Sequence, residues 1–398
     1  MKNISIVVNI YIDTKPEMEN TFDHPTDFEK FDSENTFTHT LESINKLNVP
    51  SGYMFNMFIF AIAANNDISK DILIREKIAC LVKNCTYDVF IITNSNIRDL
   101  NTTGYDLLST KGYCEIRNLG FIFPYFNNSD FVVQIDDDEI LRENYLTKMV
   151  EIYENNPDIY VLNGLYEKDG KVLVDETNDY ENLKQCYAMN EDIRRLSSAD
   201  KPVEAMFGLG GNMTFKREFF SQICYPENLP RGEDFALLLA TSLVYFNGND
   251  KCKIQPGNSV FKTFFTSNKE MTIIHRPPYS PSKNKLKYLE LNFERFIMQK
   301  SMLKNYIQRD KFYTLTRYMY RMLTVDDYLD LVNKIYDEAT EKYPEDCPED
   351  KVENAKNKTE EIFYEYNKRD LFDEYKKYQD KYLSFLKNNR INVKKYLF

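Results

Sequence analysis

An α/β fold with a mostly parallel sheet is predicted by three observations. Apolar runs at residues 4–11, 55–64 and 89–93, the first of them β-branched, read as buried strands, helical spacing separates them, and carboxylates and amides gather where they end. The first run, Ile4-Ser5-Ile6-Val7-Val8-Asn9-Ile10-Tyr11, has too few polar positions for a one-sided strand. Residues 12–33, rich in Asp, Glu, Pro and Phe, read as an acidic loop. Asn35 to Leu47 has helical spacing through Phe37, Leu41, Ile44 and Leu47. Phe55 to Ala64 is the second strand, closed by Asn65-Asn66-Asp67. A helix through Ile72, Ile78 and Leu81 leads to the strand Val89–Thr93. Ser129 to Gln134 then forms the strand that feeds an acidic run.

Beyond it the pattern is less regular. Tyr145–Tyr153 reads as a helix, Ile159–Leu165 as a strand and Gly170–Asp179 as a hairpin arm. A glycine-rich bend, Phe207 to Phe215, leads into another strand, and Phe235–Val244 is an apolar helix. Met271 to His275 is a short strand stopped by Pro277-Pro278. From about 285 onward the periodicity is helical, with Tyr288–Phe293 and Tyr364–Leu386 the clearest stretches and Glu349–Thr359 a charged helix or link. The expected division is therefore 1–280 for the α/β part and 281–398 for a helical extension. The extension suits packing on the first part, homo-oligomerisation, an acceptor lid, or contact of Lys387–Phe398 with a membrane surface.

With 398 residues, the chain exceeds the usual size of one core. A formal charge of −11 argues against nucleic acid as a partner. Seven cysteines without CxxC or zinc-like spacing read as reduced thiols of a cytoplasmic protein. Met1–Asp13 reads as a strand and not as a signal peptide, and no apolar run is long enough to span a bilayer.

The chemistry concentrates in Ile135-Asp136-Asp137-Asp138-Glu139. Crowded carboxylates at the end of a buried strand repel one another unless a cation neutralises them. Strand alternation puts Asp136 and Asp138 on one side and Asp137 on the other, so the spaced pair suits a divalent cation that carries a diphosphate. An acidic turn capping the next helix is the alternative. Gly208-Leu209-Gly210-Gly211-Asn212 lets backbone approach a ligand, or is a bulge. Glu233-Asp234 opens a helix, as acids or as caps. His275 stands at a strand end, as a ligand or a structural residue.

In this order the motifs resemble the nucleotide-sugar glycosyltransferases of the GT-A fold, and most closely the family 2 group, over residues 1–280. The matching positions are Ser43-Ile44, Arg117-Asn118-Leu119-Gly120, Asp136-Asp137-Asp138, Gly208 to Asn212, Glu233-Asp234 and His275. The resemblance implies a metal-dependent hexosyltransferase acting with inversion. Mn²⁺ or Mg²⁺ would be held by Asp138, His275 and Asp136. Tyr11, Asn65, Asp67, Arg117, Asp136 and Asp137 would surround the donor, a UDP-sugar. Gly210, Gly211 and Asn212 would face a glycan, lipid-linked or protein acceptor. Asp234 would be the base, kept charged by the helix N-terminus, with Glu233 as its companion. Retention of configuration, a sugar nucleotidyltransferase and a non-catalytic sugar-binding module are the alternatives, although Ile10 to Lys15 lacks the basic glycine-rich loop of a nucleotidyltransferase.

Overall fold

A computed structural model describes residues 1–15, 22, 25–30, 36–177, 179–244, 261–277, 285–303, 313 and 316–398. Parts of the expected acidic loop and the double proline lie outside the described residues.

The α/β expectation holds. Strands β1 (Lys2–Asp13), β2 (Thr26–Asp27), β3 (Tyr53–Ala63), β4 (Val89–Thr93) and β5 (Phe131–Asp136) pair in parallel, in the order β4-β3-β1-β5, with β2 also on β1. Both faces of β1 are buried. Ile4, Ile6, Val8 and Ile10 join one apolar cluster, and Val7 and Tyr11 the other, which is why the strand reads as one unbroken run. Beyond β5 the sheet becomes mixed. β10 (Met213–Lys216) runs antiparallel to both β5 and β7 (Ile159–Asn163), and β11 (Lys262–Phe265) and β9 (Val203–Glu204) complete the edge. A small second sheet orders β6 (Glu139–Ile140), β12 (Ile273–His275) and β8 (Tyr166–Glu167) as β6-β12-β8.

Helices flank both faces. On one side lie α1 (Thr36–Ile44), α2 (Asp71–Val82) and α5 (Tyr145–Asn155), which contribute buried residues to the Ile4–Ile10 cluster. In α2 the buried apolar face is Ile74, Ile78 and Val82; of the expected Ile72, Ile78 and Leu81, Ile78 is buried, Leu81 is half-buried against the same cluster and Ile72 is exposed. On the other side lie α3 (Asn94–Asn101) and α4 (Tyr113–Phe126). Helix α4 carries no helical signal in the sequence because its residues are buried from Cys114 to Pro124, which erases amphipathic contrast. Helix α6 (Gln185–Ser197) is likewise additional to the expected elements, and the expected hairpin at 170–179 is only a tight turn bridged between Lys168 and Lys171.

After the short α7 (Arg217–Phe220) comes α8 (Glu233–Val244), which begins at the two acids. The helical region contains α9 (Lys285–Leu303), α10 (Tyr320–Thr324), α11 (Tyr328–Lys342), α12 (Glu349–Asn367) and α13 (Leu371–Asn388). The expected helix 364–386 is thus broken between α12 and α13, and Glu349–Thr359 is the start of α12 with Val352 and Ala355 buried. These helices share one apolar cluster with the sheet. Tyr375, Gln379 and Tyr382 of α13 also bond to the backbone oxygens of Cys224, Gln222 and Phe220. Ile391, Val393 and Tyr396 are buried, and the Phe398 N–H donates to Val89 O at the edge of β4. The 387–398 segment is therefore anchored on protein through Ile391, Val393 and Tyr396, while Lys387, Arg390, Lys394, Lys395, Leu397 and Phe398 stay exposed. Among the described residues no helix is long and apolar enough to cross a membrane.

Candidate active site

The parallel half of the sheet sets the location. β1 sends the chain to β3 on one side and is joined by β5 on the other, so the carboxyl ends of β1 and β5 form the switch point at which ligands of such sheets gather. Asn9 of β1 is in register with Asp136, the last residue of β5.

Asp136 is tied in two directions. Arg117 of α4 donates from Nη2 to Asp136 Oδ2 at 2.9 Å, and the Asp136 N–H donates to Glu139 Oε2 at 2.8 Å. Its Oδ1 is buried without a partner. Arg117 is itself buried at 2 % exposure and reaches Glu233 Oε1 from Nε at 3.3 Å. One guanidinium thus joins the end of β5 to the start of α8.

The small sheet brings His275 to the acids. β12 runs antiparallel to β6 with His275 opposite Glu139, and Asp138 O accepts from the Arg276 N–H at 2.8 Å. His275 Nε2 lies 3.4 Å from Asp138 Oδ2, and the imidazole stacks on Tyr166 at 5.0 Å. The Tyr166 hydroxyl accepts from the Gly211 N–H at 2.6 Å and bonds Glu139. Glu139 occupies the space beside Gly211 so closely that a Cβ there would sit 1.8 Å from Oε1. A Cβ on Gly210 would face Glu233 Oε1 at 3.3 Å and Asp234 Cβ at 3.6 Å. The glycine bend is therefore packed between both acidic pairs, as close approach requires.

Burial governs the charges. Burial first, then Asp136 and Asp138, hold the Glu139 carboxyl well above the usual range. Burial also raises Asp136, offset by Arg117 and reinforced by Asp138. Asp234 is pushed up to about 6 by burial and next by Glu233, against the pull of the Phe235 N–H, Arg295 and Arg117. Desolvation thus works against the charge that the helix N-terminus favours, and a carboxyl near 6 is still mostly ionised at neutral pH, as the base expected from the sequence needs.

Other expected site residues have internal duties. Asp137 turns away and accepts from Thr26 Oγ1 and Thr36 Oγ1 at 3.0 and 3.3 Å, while its carbonyl accepts from Thr40. Asn212 is fully buried; Oδ1 accepts from Tyr145, and Nδ2 donates to Leu165 O and Met271 O. Those bonds join the glycine bend to β12 and leave Asn212 no acceptor-facing amide. Asp67 accepts from Thr14, Lys15 and the Ser69 N–H. Although burial raises its carboxyl, those bonds hold it well below the usual range. Tyr11 is packed among Phe22 and Tyr113 with its hydroxyl buried. Its ring is edge-on to Tyr113 and presents no open stacking face. Asn65 is exposed, in the left-handed region at φ 56°.

Among the described residues no three His, Cys, Asp or Glu side chains form a complete metal site. Asp138 and His275 do fit as a half-site. They offer one oxygen and one nitrogen at 3.4 Å beside the orphaned Asp136 Oδ1, and a hard cation with a diphosphate needs only one or two protein carboxylates. Glu139, the further acid that could compete for the ligand role, is joined here by Tyr166, which the sequence did not single out. Glu139 was legible as the next acid in the run; Tyr166 carried no local signal.

No protein-family model and no curated protein sequence matches the chain. Among solved structures the chain is similar to S. aureus TarS residues 1–349, with 13 % identity, 92 % of this chain and 90 % of that one covered, and a TM-score of 0.44. It is similar to the mannosyltransferase PcManGT from Pyrobaculum calidifontis in complex with GDP-Man and Mn²⁺, with 7 % identity, 96 % and 87 % covered, and a TM-score of 0.48. A third likeness is to GalNAc-T7 with UDP, GalNAc and Mn²⁺, with 13 % identity, 86 % and 58 % covered, and a TM-score of 0.40. At these values the likenesses assign neither ligand nor activity to this chain.

Proposed function

We propose that the chain is a glycosyltransferase that moves a sugar from a nucleotide-diphosphate sugar, a UDP-sugar, to an acceptor hydroxyl with inversion. The observation that carries this reading is the meeting of two differently equipped acidic pairs at the carboxyl ends of β1 and β5. Asp136 and Asp138 stand with His275 on one side, and Glu233 and Asp234 on the other, bridged by Arg117.

The first pair suits the donor. Asp138 and His275, with Asp136 behind them, would hold Mn²⁺ or Mg²⁺, which when bound neutralises charge developing on the leaving diphosphate. Arg117 balances Asp136 and Glu233 from within the protein, so its role is to hold both acids in place. The second pair suits the acceptor. Glu233 is engaged by Arg117, whereas among the described residues Asp234 has no ion pair to a guanidinium within 4 Å, and burial and Glu233 push its carboxyl up to about 6. A base is most effective when its pKa lies near the working pH, which favours Asp234 as the group that takes the acceptor proton. Gly210 brings backbone close against both acids.

A thermal-shift screen of nucleoside diphosphates with and without Mn²⁺ tests the donor half. Stabilisation by one nucleotide only in the presence of Mn²⁺ supports the reading. Equal or absent shifts with all nucleotides, with or without the cation, would remove it.

A further inference from the structure

The acid-bearing end of α8 is gripped by the helical region. Gly232, the residue before Glu233, has φ 69°, and its carbonyl accepts the first helical bond from Ala236. Two residues of α9 close on it. A Cβ at Gly232 would lie 2.4 Å from Arg295 Nη1, so the guanidinium rests directly against this backbone. Gln299, one turn further along the same face, donates from Nε2 to Gly232 O at 3.3 Å. Arg295 is 3 % exposed and Gln299 fully buried, which sets both in water-poor surroundings.

Arg295 is anchored from behind as well. Its Nη2 donates to the Tyr318 hydroxyl at 3.0 Å, and Tyr318 N–H and Arg317 N–H donate to the buried carboxylate of Asp192 in α6. The Tyr318 ring packs edge-on to Phe207, where the glycine bend begins, with centroids 6.2 Å apart. A continuous polar and aromatic connection therefore runs from α6 through Tyr318 and Arg295 to the turn that carries Glu233 and Asp234. Burying a guanidinium is costly unless it is paired. Arg295 Nε has no hydrogen-bond partner, and no carboxylate among the described residues lies within 4 Å of the group. The charge that faces it through Gly232 is that of Asp234.

We propose that Arg295 is a positioning residue for Asp234: the helical region, through Arg295 and Gln299, sets the orientation and the charge of the acid at the start of α8. The proposal rests on the reading of Asp234 as the base. It makes α9 part of the site. Besides Arg295, the groups that face Asp234 are Glu233 beside it, Arg117 and Cys114 of α4, and Tyr225 before α8. Removing the Arg295 cation leaves Glu233 less opposed, so the Asp234 proton is held more tightly.

The direct test needs no substrate. The full chain, labelled with ¹³C-aspartate, is titrated by NMR, and the Asp234 signal is identified by its loss in Asp234→Asn. The midpoint in Arg295→Gln is expected about 1 unit above that of the unaltered chain, the low end of what an opposite charge a few ångströms away does. Arg295→Lys, which keeps the cation and is the variant to rely on should the glutamine one not fold, is expected to stay within a few tenths of it. An unchanged midpoint in a folded Arg295→Gln, or a Lys variant shifted as far as the Gln one would be, overturns the proposal. Turnover of Asp234→Asn, with the donor found by thermal shift, judges the underlying reading separately. An active Asp234→Asn with a shifted Arg295→Gln titration would leave the coupling intact and remove the base assignment.

Discussion

Asp138 Oδ2 and His275 Nε2 lie 3.4 Å apart, although one residue follows β5 and the other ends β12. The antiparallel pairing of β6 with β12 makes the contact, and it turns two scattered residues into a pair of adjacent donors. Replacing Asp138 by Asn is expected to abolish Mn²⁺-dependent nucleotide binding. His275→Ala is expected to weaken metal affinity by about 10- to 100-fold, the scale seen when a partner in a metal site is lost. Calorimetric titration with Mn²⁺ checks both, and unchanged affinity in the two variants would leave the pair a structural contact.

Asp234→Asn is expected to lower turnover by about 10²- to 10⁴-fold with donor affinity near that of the unaltered chain. In the unaltered chain, activity should fall on acidification through about pH 6, since the base must be deprotonated. Stability changes in the opposite sense. A carboxyl whose folded pKa is raised from 3.8 to about 6 binds more protons folded than unfolded, so it costs stability as pH rises across that window. Above it the neutral amide is expected to stabilise the fold by up to about 3 kcal/mol, each pKa unit being worth about 1.4 kcal/mol. Urea unfolding at pH 5 and 8 measures the difference. A variant both fully active and no more stable at pH 8 would mark Asp234 as a helix cap alone.

Arg117→Met removes the cation shared by Asp136 and Glu233, which are 26 % and 12 % exposed in their side chains. Loss of one partner from such a buried pair costs about 3–5 kcal/mol. Denaturant midpoints would read this directly, and a loss below about 1 kcal/mol would mean that water replaces the guanidinium.

Gly211→Ala forces a methyl into the space of Glu139 Oε1. Overpacking of this kind costs about 1–3 kcal/mol. Because Glu139 also holds the Asp136 N–H, the same change is expected to reduce Mn²⁺-dependent nucleotide binding. Gly104→Ala, where a Cβ meets open space but φ is positive, serves as the control for backbone strain alone.

A chain shortened to end near Ser282 removes α9 to α13 from the apolar cluster that Phe121, Phe219 and Phe220 share with Tyr378 and Tyr382. It is expected to lose cooperative unfolding, seen by circular dichroism on heating. A folded, cooperative product would support the division at 280 as a domain boundary.

The local pattern of residues determined a good part of this architecture. Continuous apolar runs suit strands covered on both faces, so β1 and β3 in the middle of the sheet and β4 at its edge were legible, and the acids at 136–139 and 233–234 had to fall at the ends of regular elements. Helix α4 was not legible, because a helix buried all round shows no polar face. Nor could the sequence decide which polar groups meet. Asp137 and Asn212 look like ligand residues from their neighbours, yet threonines from another part of the chain claim one, and Tyr145, Leu165 and Met271 claim the other. His275 reached Asp138, and Arg295 reached Gly232, only through strand register and helix docking. Period and propensity act over a few residues, whereas a buried polar atom takes its partner from wherever the folded chain passes.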